Sequence, residues 1–363
     1  MENFFGLTLS NLEAQIGALG KEKYRARQLF RWVYNLGNLD FSEMTNIPKG
    51  LRTIFGEMFS LKTLPISQAL SSRDGSIKFA FVADDGQIIE SVLMPEKKRT
   101  TLCVSTQIGC RMGCRFCVTG KMGFRRNLNA AEIVGQLITV REHLKKTEKG
   151  PVTNIVFMGM GEPMDNIDNV MTALDILKDP GGLDLSYRKI TLSSVGLLDG
   201  LRALDSKSAV IAISLNAADD ATRSMLMPIN RLYSIGKIME FVRDFKGTKR
   251  TRITFEYILI KGVNDSLDDA KKLADLLKDI KCKINLIPYN ASSYTEFETP
   301  ERAQVDRFHK HLIDRYFTTI IRDSRGQDVC GACGQLGMGY LESAPDKGDT
   351  PRKKRTTSPE VTS

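Results

Sequence analysis

From about residue 100 onward the sequence changes hydrophobic period again and again, and that alternation constrains the fold more than any other feature. Short β-branched runs (TTLCVST, TNIVFMGM, KITLSS, AVIAISLN, TRITFEYILI, KINLIPYN, TTIIRD) alternate with segments of helical period (NAAEIVGQLITVREHLKK, NIDNVMTALDILKD, LLDGLRALDS, YSIGKIMEFVRDFK, SLDDAKKLADLLKDI, RAQVDRFHKHLIDRYF). This is an α/β pattern of six strand–helix units and a final strand. Such units demand a parallel sheet with right-handed crossovers, either open and doubly wound or curled into a closed or partial barrel. Polar groups gather after successive strands, as GMGEP, TLSSVG, ISLNA, FEYILIKGVND and IPYN. A barrel places its active site there, so a partial (β/α)6 barrel over residues 100–343 is the better expectation. Helix-start signals agree: Asn129 with Glu132 forms a capping-box pair, Ser266 precedes two Asp residues, and Pro300 sits where an N1 residue would.

The flanking segments differ. Residues 1–65 read as a small helical domain, with apolar positions at Leu9, Leu12, Ile16 and Leu19 and again at Leu29, Phe30 and Val33. Within it, Lys21, Lys23, Arg25, Arg27 and Arg31 are interleaved with Tyr24, Trp32 and Tyr34. Two readings stand: phosphate contacts with base stacking, or a solvated basic face whose aromatics pack on the core. Residues 66–99 read as a β-hairpin extension turning at Asp85-Gly86. The tail, residues 344–363, is polar and almost free of apolar residues, and is expected to be disordered; Arg352, Lys353, Lys354 and Arg355 there would add non-specific attraction to RNA. The net charge of +9 favours a polyanionic partner, and Arg111, Arg115, Lys121, Arg125 and Arg126 are expected to neutralise phosphates. With no run of about 18 apolar residues and no leader-like N-terminus, the expectation is a cytoplasmic protein that enters no membrane.

The chemistry lies in the cysteines. Three of the seven crowd into Cys110, Cys114 and Cys117, a spacing that lets one loop wrap three thiolates around an inorganic centre. Structural zinc usually needs four protein ligands, and with only three His in the chain it would have to borrow Cys103 or Cys333. A four-iron cluster held by three Cys instead leaves one iron open to a small molecule. The second group, Cys330-Gly-Ala-Cys333-Gly, reads as a redox or metal pair or as a mobile loop that delivers one thiol to the site. Cys282 reads as a packing residue.

The C-x3-C-x2-C triad at the end of the first barrel strand, with Phe116 before its last Cys, resembles the radical S-adenosylmethionine superfamily. The segments GQIIESVLMP, TLCVSTQIGC, GMGEP, SLNA, INLIPYN and ACGQL, in that order, resemble the bacterial dual-specificity RNA methyltransferases within it, over nearly the whole chain apart from the tail. The resemblance implies one 4Fe-4S cluster on Cys110, Cys114 and Cys117, and S-adenosylmethionine held by Gly161, Glu162, Ser193, Ser214, Leu215, Asn216 and Asn290. Asn216 stands where some members carry His. It further implies methylation of carbon 2 of adenine, in 23S rRNA at the peptidyl-transferase centre and in tRNA next to the anticodon, with two S-adenosylmethionine molecules consumed. That carbon is electrophilic, so direct methyl displacement onto it is unpromising and a radical route is needed. By the same resemblance Cys333 carries the methyl group, Cys103 forms a transient disulfide with Cys333, and Glu90 accepts a proton, while Cys330 lies outside the family pattern. A reducing partner such as flavodoxin and a monomeric state are expected. Two alternatives stay open: a sibling enzyme that methylates carbon 8 of the same rRNA adenine, and a zinc-stabilised RNA-binding protein without catalysis.

Overall fold

The computed structural model describes residues 1–147, 150–204, 208–245 and 252–343. The expected disordered tail lies outside them. One ten-stranded sheet organises the molecule: β1 (Ile66–Ser71), β2 (Ile77–Val82), β3 (Ile88–Glu96), β4 (Arg99–Cys103), β5 (Asn154–Phe157), β6 (Ile190–Ser194), β7 (Val210–Ser214), β8 (Thr254–Leu259), β9 (Lys283–Pro288) and β10 (Thr318–Ile321). The strands lie side by side in chain order. A doubly wound sheet must reverse its strand order at a switch point, and no reversal occurs, so the parallel part from β4 to β10 is a singly wound partial barrel. β1 to β4 pair antiparallel. The expected hairpin is therefore the outer edge of the barrel sheet rather than an appendage, because β3 is long enough to pair with β2 on one side and β4 on the other. Its turn closes through Gly86, whose φ of 79° lies in the left-handed region that glycine enters freely.

Each crossover carries a helix: α4 (Ala130–Lys146), α5 (Ile167–Lys178), α6 (Leu198–Arg202), α7 (Asp220–Leu226), α8 (Ile235–Asp244), α9 (Leu267–Leu277) and α10 (Arg302–Asp314), with α1 (Leu9–Ala18), α2 (Tyr24–Phe30) and α3 (Lys49–Met58) preceding the sheet. The capping box of Asn129 and Glu132 forms at α4, and Ser266 makes a second one with Asp269 at α9. Pro300 is not an N1 residue: Glu301 is the N-cap and α10 starts at Arg302, leaving Pro300 in the preceding loop. α7 has no counterpart in the periodicity reading; seven residues long and capped by Asp219, it is too brief to show a helical period. No helix among the described residues is long and apolar enough to cross a membrane.

The N-terminal segment meets α4 through the turn Phe4–Gly6 and shares the barrel's core. Arg141 donates to the Tyr34 carbonyl (2.9 Å) and Lys145 to that of Gly37 (2.8 Å). This decides between the two readings of the basic stretch for one residue. Tyr34 is fully buried against Phe4, Phe5 and Phe30, with its hydroxyl on the Phe4 carbonyl, and so is closed to bases. Trp32 donates to Asn46 Oδ1, and only Tyr24 of the three aromatics stands exposed, under the Arg25 guanidinium.

Candidate active site

The cysteine loop follows β4 through a constriction that only glycine fits. A Cβ on Gly109 would sit 1.7 Å from the Gly123 carbonyl oxygen, and its φ of 72° is left-handed besides. The loop is then fastened at both ends: Cys110 N–H donates to Gly123 O (3.2 Å) and Val118 N–H to Gly334 O (2.8 Å). Cys110, Cys114 and Cys117 line one cavity at the carboxyl ends of the parallel strands, together with Gly161, Glu162, Ser193, Ser214, Asn216, Glu256 and Cys333. Burial pushes Cys110 up to about 12 and Cys114 well above its ordinary range, with repulsion among the thiols adding to both. The thiols are therefore held protonated until a metal centre displaces their protons.

The donor set fits an iron–sulfur cluster. Soft thiol ligands face a shared, largely apolar cavity, yet among the described residues no three His, Cys, Asp or Glu side chains are gathered closely enough for a single metal ion.

Gly161 ends the β5 loop with φ 99°, and a Cβ there would lie 2.5 Å from that of Gln107. Glu162 beside it is buried; its carboxylate accepts from Met164 N–H (3.1 Å) and Val195 N–H (2.9 Å), while burial raises its pKa to about 7. Asn216 adopts φ 57°, a conformation Asn tolerates, and its Oδ1 already accepts from Ile258 N–H (2.9 Å). Leu215 turns its side chain into the core, so only its backbone is near the site. Asn290 does not line the cavity; it donates to the Cys333 carbonyl (3.2 Å) and accepts from Gln327 (2.9 Å), holding the Cys333 segment in place.

Cys103 lies at the end of β4, buried in a small apolar cluster with Val92, Met122, Met160 and Leu336. Burial first, and then the Cys333 thiol, push it up to about 12, while Arg322 opposes both. Cys333 itself is raised by desolvation and lowered by the same Arg322. The two thiols therefore share one cation. Glu90 stands on the hairpin side, in a second cavity with Arg125, Met160 and Tyr340. Its carboxylate pairs with Lys78 Nζ (2.9 Å) and accepts from Gly337 N–H (2.7 Å), which ties β3 to the segment after Cys333. Cys330 is half-buried, with φ 52° and its carbonyl on Lys78, and Cys282 is in the core.

Several residues of this site gave no sign in the sequence. Glu256 lines the cavity with one carboxylate oxygen on Asn285 (2.8 Å) and the other without a hydrogen-bond partner, 3.9 Å from Arg322 Nη1. Gln136, fully buried on α4, exchanges hydrogen bonds with the Ser105 backbone and thereby sets the loop after β4. Both sit among apolar neighbours in periodic segments. Lys78 did offer a signal: a lone cation in the apolar strand IKFAFV needs a partner. The cationic loop also differs from expectation. Arg126 is held by Asp85 and Glu132, Arg111 by Asp165, and Arg115 by Glu296, so three of the five expected phosphate contacts are already engaged. Lys121 and Arg125 remain exposed and form no ion pair among the described residues.

This arrangement matches known proteins. A family model for the radical SAM superfamily matches residues 104–277, and one for the ribosomal RNA large subunit methyltransferase N-terminal domain matches residues 2–61. The dual-specificity RNA methyltransferase RlmN of Geobacter sulfurreducens is 46% identical over 94% of this chain and 94% of its own length. The chain belongs to the RlmN family. The RlmN of Desulfosudis oleivorans is also 46% identical, over 94% of this chain and 92% of its own. The crystal structure of a radical SAM methyltransferase from Sphaerobacter thermophilus superposes with a TM-score of 0.86 at 40% identity, covering 92% of this chain and 99% of that one. RlmN membership answers the zinc alternative: the three-cysteine cavity belongs to a radical SAM fold.

Proposed function

We infer that this chain methylates carbon 2 of adenine in 23S rRNA and in tRNA, using one 4Fe-4S cluster and S-adenosylmethionine. The observation that carries the mechanism is the convergence of Cys110, Cys114, Cys117, Glu162 and Cys333 on one cavity, with Cys103 close enough to Cys333 to feel its charge. When bound, the cluster and S-adenosylmethionine supply the methyl group and the one-electron chemistry that an unreactive aromatic carbon requires. Cys110, Cys114 and Cys117 hold the cluster; Gly161 brings backbone close to the cofactor, Glu162 offers a counter-charge, and Ser193, Ser214 and Asn216 complete its surroundings, with Leu215 contributing backbone alone and Asn290 acting through the Cys333 segment it holds.

Cys333 carries the methyl group as a thioether and becomes joined through that carbon to the adenine. Release needs a second thiol. The methyl carbon would give up one hydrogen atom, and the adduct one electron, to the one-electron chemistry the bound group supplies, while Glu90 takes the carbon-2 proton and restores the aromatic ring. Attack by the Cys103 thiolate on the Cys333 sulfur then forms an S–S bond and breaks the S–C bond, whose electron pair leaves with the methylene carbon, which is protonated to a methyl group. The disulfide must then be reduced. Arg322, facing both sulfurs, favours the thiolate that attacks. The reducing partner is a small electron carrier of the flavodoxin kind, and the enzyme works as a cytoplasmic monomer. Residues 1–65 serve as an RNA-binding unit, 66–99 as the hairpin that presents Glu90, and 100–343 as the catalytic barrel.

Anaerobic turnover of the reconstituted enzyme with unmethylated RNA, followed by nucleoside mass spectrometry, should yield 2-methyladenosine. Formation of 8-methyladenosine, or of no methyladenosine, overturns the reading. C103A should still bind the cluster and methylate Cys333, yet accumulate protein covalently attached to RNA. Normal turnover by C103A without a cross-link would reduce Cys103 to a packing residue.

A further inference from the structure

Among the described residues the largest fully buried side chain is a cation, Arg223, on α7. Its five N–H groups are all engaged, and every acceptor is neutral. Nε donates to Leu215 O (3.1 Å); Nη1 donates to Asn230 Oδ1 (2.7 Å) and Tyr233 O (3.1 Å); Nη2 donates to Val195 O (2.7 Å) and Ser214 O (3.3 Å). It forms no ion pair among the described residues, and the Asp220 carboxylate on the same helix is taken by Asn230 Nδ2 and Ile235 N–H (both 2.9 Å). Carbonyl dipoles thus solvate the guanidinium without cancelling its charge. A buried charge is expensive even with the Asp220 carboxylate acting on it from the same helix, and a leucine at this position would avoid that cost.

What lies against α7 accounts for the charge. Leu226, at its C-terminal end, accepts from Arg115 N–H inside the cysteine loop (3.0 Å), and Leu226 and Met227 pack with Met112, Cys114 and Phe116. The cation therefore sits directly behind the loop, and Arg223 and Cys114 influence each other's charge. Burial lowers the guanidinium's pKa to about 10, which leaves it charged at neutral pH. A four-iron core with three thiolates is formally anionic and gains a further negative charge on reduction. A fixed positive charge nearby favours the reduced form, as net charge and surroundings set cluster potentials in general.

We propose that Arg223 is a buried positioning cation that raises the reduction potential of the cluster held by Cys110, Cys114 and Cys117. The inference rests on that ligand assignment. The test is a redox titration of the full-length, cluster-reconstituted protein without S-adenosylmethionine, followed by the electron paramagnetic resonance of the reduced cluster. R223Q should lower the equilibrium constant for one-electron reduction at least tenfold, about 59 mV in midpoint. R223K, which keeps the charge and loses most of the hydrogen bonds, should stay within about threefold of wild type, corresponding to less than half that shift. Equal shifts in both variants would assign the effect to packing, and no shift in R223Q would remove it; either overturns the proposal. Should R223Q fail to fold, N230D sets a carboxylate on Nη1 while leaving the guanidinium in place, and must give the same fall; an unchanged potential overturns the proposal. A wild-type protein that shows no cluster signal overturns the ligand assignment and this inference together, whereas a cluster with an unmoved potential overturns this inference alone.

Discussion

Glu162 is 3% exposed, and burial raises its carboxyl from 4.5 to about 7 against two backbone hydrogen bonds that favour the charged form. A folded pKa above the unfolded one means that the folded protein binds the proton more tightly. The group's stabilising contribution is then full below pH 4.5 and is lost as pH rises through 7. The difference in unfolding free energy between the cofactor-free wild type and E162Q should therefore fall by about 3 kcal/mol from pH 4 to pH 8, measured by urea denaturation. A pH-independent difference would mean that Glu162 titrates normally. The environment behind this behaviour was not legible in the segment GMGEP, which shows a carboxyl after two glycines but not the Val195 and Met164 amides that receive it. Cys103 teaches the same lesson: a lone strand cysteine reads as packing, and only its place beside Cys333 and Arg322 gives it chemical company.

Among elements, the segment from Arg322 to Gly337 departs most from its sequence. Gly331, Ala332 and Gly334 around two cysteines read as a mobile loop. In the fold the segment is a strap tied down along its length. Asp74 accepts from Gly326 N–H (2.9 Å), Asp328 from Ser72 and from Arg73 N–H (2.5 and 3.0 Å), the Leu336 carbonyl from Thr119 (2.8 Å), and Glu90 from Gly337 N–H. The glycines supply left-handed turns at 326, 334 and 337. Moving Cys333 requires breaking these ties, and the latch on the β1–β2 turn is the outermost. D328A and D74A should each speed amide exchange across residues 326–337 severalfold while leaving β4 to β9 unchanged, as read by hydrogen–deuterium exchange with peptide resolution. Unaltered exchange in both would show that the latch does not restrain the strap. By contrast, α4 and α9 begin where Asn129 and Ser266 predicted, because a cap is written within four consecutive residues.

For the whole molecule, a charge of +9 predicts salt-sensitive RNA binding, and the structure sorts the cations by what each can give. K121A, at an exposed position, should weaken RNA affinity uniformly and reduce the slope of log affinity against log salt by about 1. R126A should instead lower thermal stability with little change in slope, since Arg126 is committed to Asp85 and Glu132. Equal slopes for wild type and K121A in filter-binding titrations would remove Lys121 from the interface. The sequence by itself determined the repeating strand–helix order, the parallel sheet, the starts of α4 and α9 and the spacing of three thiols, because each is written in local period or in adjacent residues. It also held the ordered motifs by which the chain resembles its family. The tertiary structure alone decided that Glu90 meets Gly337 across 247 positions and that Arg223 sits fully buried behind the cysteine loop. Those contacts follow from the curl of the sheet, which gathers strand ends from the whole chain around one cavity, and no local pattern records which distant residue will arrive there.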